Sequence, residues 1–343
     1  MSTRLERGER VLARVPDWLG DLVMAEPALR ALHARTRELG GTFTLVGKPH
    51  LLSVFGDAFG GCERRDARET SSWRGHDVAV LFTNSFRSAW TARMAGIPRR
   101  FGWERDFRAW LLSDSWTPAF ERGGTPVRLG IRGRGSRYLP RPFGSTCVEL
   151  VHWLGIPVHD PRPRLEATNA ARESVNARLA SAGIAPQERF TLVNAGGRPG
   201  SAKSYPAELW GRALALRDER LVLVCGPGEE DALREILRAV PRATALLEPV
   251  ASLPELVALC ERASLVLTAD SGPRHVAAAV GARLVVLCGP TDPRHTADHT
   301  TSTRILRTPV PCGPCHKERC PLTGAAELAC MRRIDPQEVG SAK

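Results

Sequence analysis

The chain has 343 residues, of which 43% are hydrophobic and 25% are charged, and its formal net charge is +11. This composition is typical of soluble globular proteins, and the length allows about two domains. The charged stretch 1–10 does not resemble a signal peptide, and no apolar run approaches the roughly 20 residues that span a bilayer. We therefore expect a cytoplasmic protein whose only membrane contact would be peripheral.

The positive charge is concentrated in the first half of the chain. Residues 87–141 contain twelve arginines and four acidic residues, a net charge of +8. Such a field favours an anionic partner, for example nucleic acid, phosphorylated lipid or an acidic sugar. The alternative is a solvated arginine-rich surface that partly reflects codon composition, since the chain has only four lysines.

In the first half, short apolar runs alternate with helical patterns. Residues 11–15, 43–46 and 78–82 are the strand candidates, and residues 21–36 and 86–95 are the helical ones. This alternation predicts a parallel sheet covered on both faces.

A change of composition separates the two halves. Residues 122–145 are rich in Gly, Pro and Arg and predict a long loop, which a helix near 145–155 follows. We assign residues 1–155 to an N-terminal domain, the proline-rich residues 156–165 to a linker, and residues 166–343 to a C-terminal domain.

The alternation restarts after the linker. Strands are predicted at 190–194, 221–225, 264–268 and 283–288, and helices at 206–217, 229–239, 252–262 and 273–280. The predicted fold is α/β, with two Rossmann-like doubly wound domains that face each other across a cleft. In such sheets ligands bind outside the carboxyl ends of the strands.

The first strand–helix turn contains an unexpected carboxylate. Phosphate-binding turns usually carry several glycines, which let backbone amides approach the phosphate. This turn instead contains Trp18, the single Gly20 and Asp21. A negative charge would repel phosphate, so a different role is expected for Asp21, or simply that of a favourable acid in the first helical turn.

Three loops of the second half follow predicted strands. Asp270, Ser271 and Gly272 precede a helix whose amide end would attract an anion, although Asp270 or Ser271 could equally be its N-cap. Lys203 lies in a glycine-rich loop, where an ammonium would suit phosphate or simply be solvated. Glu229 and Glu230 follow another strand and would accept from ribose hydroxyls or favour a helix N-terminus.

These motifs together resemble glycosyltransferase family 9, the lipopolysaccharide heptosyltransferases, over nearly the whole chain. The similarity lies in PDWLGDLVMAEPALRAL, SAKSYP, DSGPRHVAAAVG and GPTDP. The segment TNSFRSAWTARMAGIPRRFGW, residues 83–103, is most similar to family members that add the second core heptose. The resemblance implies the GT-B fold, with the acceptor bound by the first domain and the donor by the second.

The resemblance also implies a chemistry. An inverting enzyme would move heptose from ADP-heptose to heptosyl-Kdo2-lipid A at the inner face of the cytoplasmic membrane, with no cofactor required. Asp21 would be the general base that deprotonates the acceptor hydroxyl. The expected donor-binding residues are Lys203, Glu229, Glu230, Asp270, Ser271, Gly272 and His275, although His275 could instead be a core residue. The expected acceptor-binding residues are Asn84, Ser85, Arg87, Arg99, Arg100 and Arg105.

Two departures leave the donor open. Tyr205 stands where the family usually has Trp, and Arg274 where Met is common, so a related enzyme with another nucleotide sugar or acceptor is one alternative. A non-catalytic nucleic-acid-binding protein is another, suggested by the basic composition. That alternative lacks a recognisable RNA motif or interleaved aromatic and basic residues, so no nucleic-acid partner is expected. The oligomeric state is left open.

The segment 311–331 contains four of the nine cysteines. Cys312 and Cys315 have the C-x₂-C spacing, and Cys320 and Cys330 would complete a tetrahedral structural Zn²⁺ site. A disulfide framework is not expected in a cytoplasmic chain. The alternatives are an iron–sulfur cluster or, with His316 and Lys317, an acceptor-facing loop that needs no metal.

Overall fold

The structure, a computed structural model, describes residues 4–105, 107–117, 141–198, 200–296 and 302–343. The chain forms two compact units with a boundary between Arg164 and Leu165, at the end of the predicted linker. A short segment that begins at Arg294 groups with the first unit. Most of the loop predicted at 122–145 lies outside the described residues.

The first unit is a six-stranded parallel sheet with helices. Its strands are β1 Arg10–Arg14, β2 Thr42–Gly47, β3 Glu63–Asp66, β4 Val78–Leu81, β5 Arg99–Trp103 and β6 Asp114–Trp116. Its helices are α1 Leu19–Glu38, α2 Pro49–Leu52, α3 Phe86–Met94 and α4 Phe143–Trp153. The strand order is β3-β2-β1-β4-β5-β6, and Leu12 of β1 pairs with Thr44 on one side and Ala79 on the other.

The second unit repeats this plan. Its strands are β7 Phe190–Asn194, β8 Arg220–Val224, β9 Thr244–Ala245, β10 Leu265–Ala269, β11 Leu284–Leu287 and β12 Thr303–Leu306. Its helices are α5 Asn169–Ser181, α6 Ala207–Ala215, α7 Glu230–Ala239, α8 Leu253–Arg262, α9 Gly272–Ala279, α10 Ala329–Arg332 and α11 Pro336–Ser341. The order β12-β11-β10-β7-β8-β9 is the same as in the first unit when read from the other edge.

The apolar runs of the sequence become the centres of the two sheets. Leu12, Val80 and Leu81 are buried in the first unit, and Leu192 and Leu267 in the second. Central parallel strands are covered on both faces, so they contain continuous apolar runs and no polar alternation. The predicted α/β class with two Rossmann-like domains is confirmed.

Several elements were not predicted. β3 has the sequence ERRD and is largely exposed at an edge, so it has no apolar pattern. Helix α5 was also missed, although Thr168 caps it by accepting from the amide of Ala171 at 3.1 Å. Its buried positions, Ala171, Val175 and Leu179, are spaced four residues apart, which is the pattern of one helix face.

Candidate functional site

The strand order reverses direction between β1 and β4 in the first unit. Ligands of doubly wound sheets bind at the carboxyl ends of the two strands that flank such a switch point. Asp21 lies in the first turn of α1, which follows β1, and Asn84 follows β4. The loops that carry these two predicted site residues therefore lie next to each other at the switch point.

The loop between β1 and α1 is held by two cations. Arg14 is buried and pairs with Asp17 at 2.7 Å, and the Lys48 ammonium donates to the Asp17 carbonyl at 3.3 Å. Trp18 has extended backbone at the N-cap of α1, with an exposed side chain. Asp21 is half-buried at this positive helix end, where a carboxylate is electrostatically favoured.

The loop after β4 contains one polar atom that stands out. The Asn84 side-chain oxygen is buried and has no hydrogen-bond partner within the described part of the chain, and such a group is costly unless a ligand or water satisfies it. The Ser85 hydroxyl instead caps α3 by accepting from the Ser88 amide at 3.3 Å. Arg87 is exposed in the first turn of α3.

Arg108 is a residue that sequence reasoning missed. It is wholly buried, and its guanidinium donates to the Trp103 carbonyl at 3.2 and 3.1 Å and to the Ser85 carbonyl at 3.4 Å. It also donates to the Ser88 hydroxyl at 3.4 Å. Arg108 therefore ties the loop after β5 to the loop after β4. Nothing in the local sequence distinguishes it from the solvated arginines around it.

The predicted acceptor-binding arginines do not lie together, which corrects that grouping. Arg105 is exposed in the loop after β5, at the same edge of the sheet as Asn84 and Arg87. Arg99 and Arg100 begin β5 and so lie at the opposite edge.

Both of those guanidinium groups are used structurally. Arg99 pairs with Glu9 at 2.5 Å and with Glu6 at 3.3 Å. Arg100 donates to the carbonyls of Leu111 at 2.7 Å and Pro98 at 2.9 Å. The sequence analysis did not predict β5, so it could not show that Arg99 and Arg100 lie at the amino end of this strand, away from Arg105.

The switch point of the second unit, between β7 and β10, contains a buried ion pair. Asp270 follows β10, and its carboxylate pairs with Arg274 at 2.6 Å and accepts a hydrogen bond from the Thr291 hydroxyl. Burial favours the neutral acid, but Arg274, Lys203 and Thr291 outweigh it and hold the pKa of Asp270 below its ordinary value. The unusual Arg274 thus serves as the counter-ion of Asp270.

His275 and Lys203 belong to the same cluster. Burial and the charge of Arg274 lower the pKa of His275 to about 3, so this imidazole is neutral at physiological pH. The Lys203 ammonium contributes to lowering the pKa of both Asp270 and His275, so it lies near both. Because Arg274 neutralises Asp270, the positive charge of Lys203 is left over for an anionic ligand.

The start of α9 completes this arrangement. Ser271 is the N-cap residue, but its side chain makes no capping hydrogen bond. Gly272 and Pro273 form the first turn. A helix N-terminus that is not capped by its own side chain offers amide hydrogen and positive dipole to an anion.

The two predicted glutamates have local partners. Glu229 accepts from the Gly226 amide at 3.0 Å, and a Cβ on Gly196 would come within 2.2 Å of its carboxylate. The amides of Glu230 itself and of Gly228 lower the pKa of Glu230, as expected at the N-terminus of α7. Glu229 therefore packs between the loops after β7 and β8, whereas Glu230 stabilises a helix end.

Tyr205 is a core residue. It is buried, its hydroxyl donates to the Ile334 carbonyl at 3.0 Å, and its ring lies edge-on to Trp210 at 5.3 Å. This departure from the family pattern fastens the C-terminal segment to α6.

The Cys-rich segment, residues 311–331, packs against the loops at the switch point of the second unit. The Ala202 amide donates to the Glu318 carbonyl at 2.8 Å, and the His316 amide donates to the Pro290 carbonyl at 2.9 Å. These two bonds fix the segment beside Lys203 on one side and the loop after β11 on the other.

Three of the four predicted zinc ligands act electrostatically on the fourth, Cys330. Burial, and then Cys315, Cys312 and Cys320, raise the pKa of Cys330. The Cys320 sulfur also accepts from the Leu328 amide at 3.4 Å. In the described ranges, however, no three His, Cys, Asp or Glu side chains are arranged so that they could hold a metal ion. The zinc site therefore stays a prediction.

Two Rossmann-like units in one chain, each with its site residues at the switch point of its sheet, define the architecture of the GT-B glycosyltransferases. Comparison with known proteins gives the family. The sequence profile of glycosyltransferase family 9 (heptosyltransferase) matches residues 71–326. The chain belongs to this family.

Individual relatives agree with the profile. Lipopolysaccharide heptosyltransferase 2 of Escherichia coli K12 is 26% identical over 325 residues, which cover 87% of this chain and 88% of that protein. The structure of E. coli ADP-heptose lps heptosyltransferase II superposes with a TM-score of 0.71 at 22% identity and covers 96% of both chains. An E. coli heptosyltransferase with ADP-2-deoxy-2-fluoro heptose superposes with a TM-score of 0.62 at 16% identity, covering 88% of this chain and 93% of that chain.

Proposed function

We propose that the protein transfers heptose from ADP-heptose to the inner core of lipopolysaccharide and adds the second heptose to heptosyl-Kdo2-lipid A. The relatives named heptosyltransferase 2 support this acceptor, and the relative with an ADP-heptose analogue supports the donor. The observation that carries the proposal is the pair of switch points. One has a half-buried carboxylate, and the other has a buried charge cluster whose excess charge is positive.

The proposed reaction is a single displacement with inversion. The acceptor hydroxyl oxygen attacks the anomeric carbon as the bond from that carbon to the diphosphate oxygen breaks. The hydroxyl proton passes to the Asp21 carboxylate, and ADP leaves with the electron pair. A positioned general base contributes roughly 10²–10⁴-fold to such a step.

The switch point of the second unit, which we call the donor half-site, supplies charge stabilisation without a metal ion. Lys203 and the amide end of α9 from Gly272 would hold the diphosphate, and the charge that develops on leaving ADP would be stabilised there. His275 is neutral, so its contribution is a hydrogen bond and not a charge. Asp270 does not repel the diphosphate because Arg274 is its counter-ion.

The switch point of the first unit forms the other part of the site, which we call the acceptor half-site. We assign acceptor contacts to Asn84, Arg87 and Arg105, which lie along one edge of the sheet, and no longer to Arg99 and Arg100. The negative groups of Kdo and lipid A complement the arginines. Since this acceptor is a lipid, the enzyme would act as a peripheral protein at the inner face of the cytoplasmic membrane.

The structural zinc is a separate proposal, supported by the C-x₂-C spacing and by the effect of three thiols on Cys330. Four thiolate ligands would close the ion off from the reaction. Elemental analysis of protein purified without an affinity tag tests it. About one equivalent of zinc, with loss of stability in chelator, supports the site, and a clearly smaller content with unchanged stability overturns it.

The function is tested by measuring nucleotide release and product mass with heptosyl-Kdo2-lipid A. ADP-heptose should be turned over, whereas UDP-sugars and GDP-sugars should not. Efficient transfer from a UDP- or GDP-sugar would reject the donor assignment, and transfer of ADP-heptose only to Kdo2-lipid A without a first heptose would reject the acceptor.

A further inference from the structure

A cluster of exposed aromatic rings lies on one flank of the first unit. Seven large hydrophobic side chains are exposed in the described part of the chain, and five of them come from the two segments 86–94 and 107–110. We call Phe86, Trp90, Met94 and Trp110 the aromatic patch. Single exposed apolar residues are ordinary, but a contiguous group marks an interaction surface.

Helix α3 provides most of the patch. Phe86, Trp90 and Met94 are spaced four residues apart and so share one face, while Ala89 and Ala92 are buried on the other. The Phe86 and Trp90 rings are stacked with their centroids 6.1 Å apart. Trp90 is 43% exposed and Met94 61%, although a helix normally buries its apolar side chains.

The third ring, Trp110, comes from a short 3₁₀ turn, Ala109–Leu111. The Trp110 ring lies 6.1 Å from Phe86 and 6.3 Å from Trp90, and it is 59% exposed. The buried guanidinium of Arg108 fixes the loop that carries Trp110, as described above. Buried Arg108 therefore holds the loop with Trp110 in place, while the rings of the patch stay exposed to water.

The charged side chains that α3 contributes beside the patch are all positive. Arg87 and Arg93 are exposed on α3, which contains no acidic residue. The Arg93 guanidinium lies 6.0 Å from the centre of the Trp110 ring. Aromatic rings beside arginines are the composition of surfaces that bind anionic lipid headgroups.

We propose that the aromatic patch docks the protein on an anionic phospholipid bilayer, with its rings in the headgroup region and Arg93 paired with lipid phosphate. This deepens the proposed function, since a lipid acceptor has to be reached at a membrane. No helix within the described residues is long and apolar enough to cross a bilayer. A second copy of the chain fits less well, because symmetric pairing of the patch would bring arginines against arginines.

Vesicle flotation with the purified full-length protein tests the proposal. The protein should float with vesicles of phosphatidylcholine and phosphatidylglycerol and much less with phosphatidylcholine alone. Replacing both Trp90 and Trp110 by Ala should lower the partition coefficient by at least about tenfold. The variant no longer gains the favourable transfer of two half-exposed rings from water into lipid. Arg93→Gln should lower it by roughly fivefold on the anionic vesicles only.

Leu216→Ala is the matched control, since Leu216 is an exposed apolar residue of the second unit. It should float like the unchanged protein. Circular dichroism melting of each variant checks that it is folded. Tryptophan quenching by brominated lipid should also fall when Trp90 and Trp110 are removed.

A second readout separates this proposal from the enzymatic one. The double Trp variant should retain transfer to a deacylated, water-soluble acceptor. Vesicle binding that is unchanged in folded double variants overturns the membrane proposal, even where transfer is active. Loss of self-association in these variants, with no vesicle binding by the unchanged protein, also overturns it and identifies a protein interface. Vesicle binding that depends on the patch, without heptose transfer, overturns only the proposed function.

Discussion

The two units share one strand order but differ in the chemistry at their switch points. In the first unit Asp21 is half-buried at a helix start, and the neighbouring loop carries the Asn84 oxygen, which has no hydrogen-bond partner among the described residues. In the second unit Asp270 is fully enclosed by Arg274 and Thr291. The same topology thus presents a half-buried carboxylate in one unit and a fully buried, ion-paired carboxylate in the other.

This difference separates two roles for an aspartate. A base has to be within reach of the substrate, and Asp21 is half-buried whereas Asp270 is fully buried. A carboxylate that already has a buried guanidinium partner is held ionised and serves to fix that partner. We infer that Asp21 is suited to proton transfer and that Asp270 is suited to positioning. The following variants test this contrast.

The largest effect is expected for Asp21→Asn. Loss of the base should lower kcat by roughly 10²–10⁴-fold, with ADP-heptose affinity nearly unchanged. Steady-state kinetics and donor titration measure the two quantities. Asp57→Asn, which changes an exposed carboxylate elsewhere in the first unit, is the control and should be silent. Near-native kcat in Asp21→Asn would remove Asp21 from the mechanism.

Lys203→Ala is expected to have the next largest effect. The excess positive charge of the second switch point is lost, so the rate should fall by about 10²–10³-fold and ADP binding should weaken. Lys343→Ala removes an exposed lysine with no place in either half-site and should behave like the unchanged protein. If ADP affinity and rate are both unaltered in Lys203→Ala, the diphosphate is held elsewhere.

A third effect concerns the pH dependence of folding. The folded-state pKa of His275 is lowered to about 3, whereas the unfolded chain titrates near pH 6.5. The contribution of neutral His275 to the free energy of unfolding is therefore complete above about pH 6.5, and it is lost as the pH falls towards 3. The free energy of unfolding should decrease by up to about 1.4 kcal/mol per pH unit in this window.

Urea unfolding at several pH values measures this slope. His275→Gln should flatten it between about pH 6.5 and 4, while His159→Gln, at an exposed position, should leave it unchanged. Asp270 does not contribute to this window, because its lowered pKa means that its stabilisation is lost only at more acidic pH. An unchanged slope in His275→Gln would show that other groups cause the acid sensitivity.

The smallest effect distinguishes arginines at the two edges of the first sheet. Arg87→Ala and Arg105→Ala should each raise the acceptor KM by roughly fivefold, and less at high salt, because exposed charges are screened. Arg99→Ala should leave KM unchanged and cost less than about 1 kcal/mol of stability, as is usual for partly exposed ion pairs. Equal KM changes at both edges would contradict the separation of these residues.

The interior strands other than β5 and most helices of both units could be predicted from the sequence. Buried parallel strands need uninterrupted apolar runs, such as LVLV before Cys225, and this requirement is local. The edge strand β3 could not be predicted, because its side chains are charged and its position depends on hydrogen bonds to β2. The loops with Asp21, Lys203 and Asp270 could be found because each directly follows a predictable strand.

What the sequence did not determine was which charged side chains meet. Arg87, Arg99, Arg105 and Arg108 look alike along the chain. The sheet places Arg99 at the amino edge and Arg105 at the carboxyl edge, and packing buries Arg108 completely. A guanidinium acquires its role from partners distant in sequence, such as Glu9 for Arg99.

The sequence by itself determined the two-domain α/β class, the loops that carry chemistry and the family resemblance, because hydrophobic periodicity and motif spacing are properties of neighbouring residues. Only the tertiary structure decided that Arg274 compensates Asp270, that His275 is neutral and that three aromatic rings converge on the surface of the first unit. Burial and the distances between side chains set electrostatic energies and ring contacts, and both come into existence only when the chain has folded.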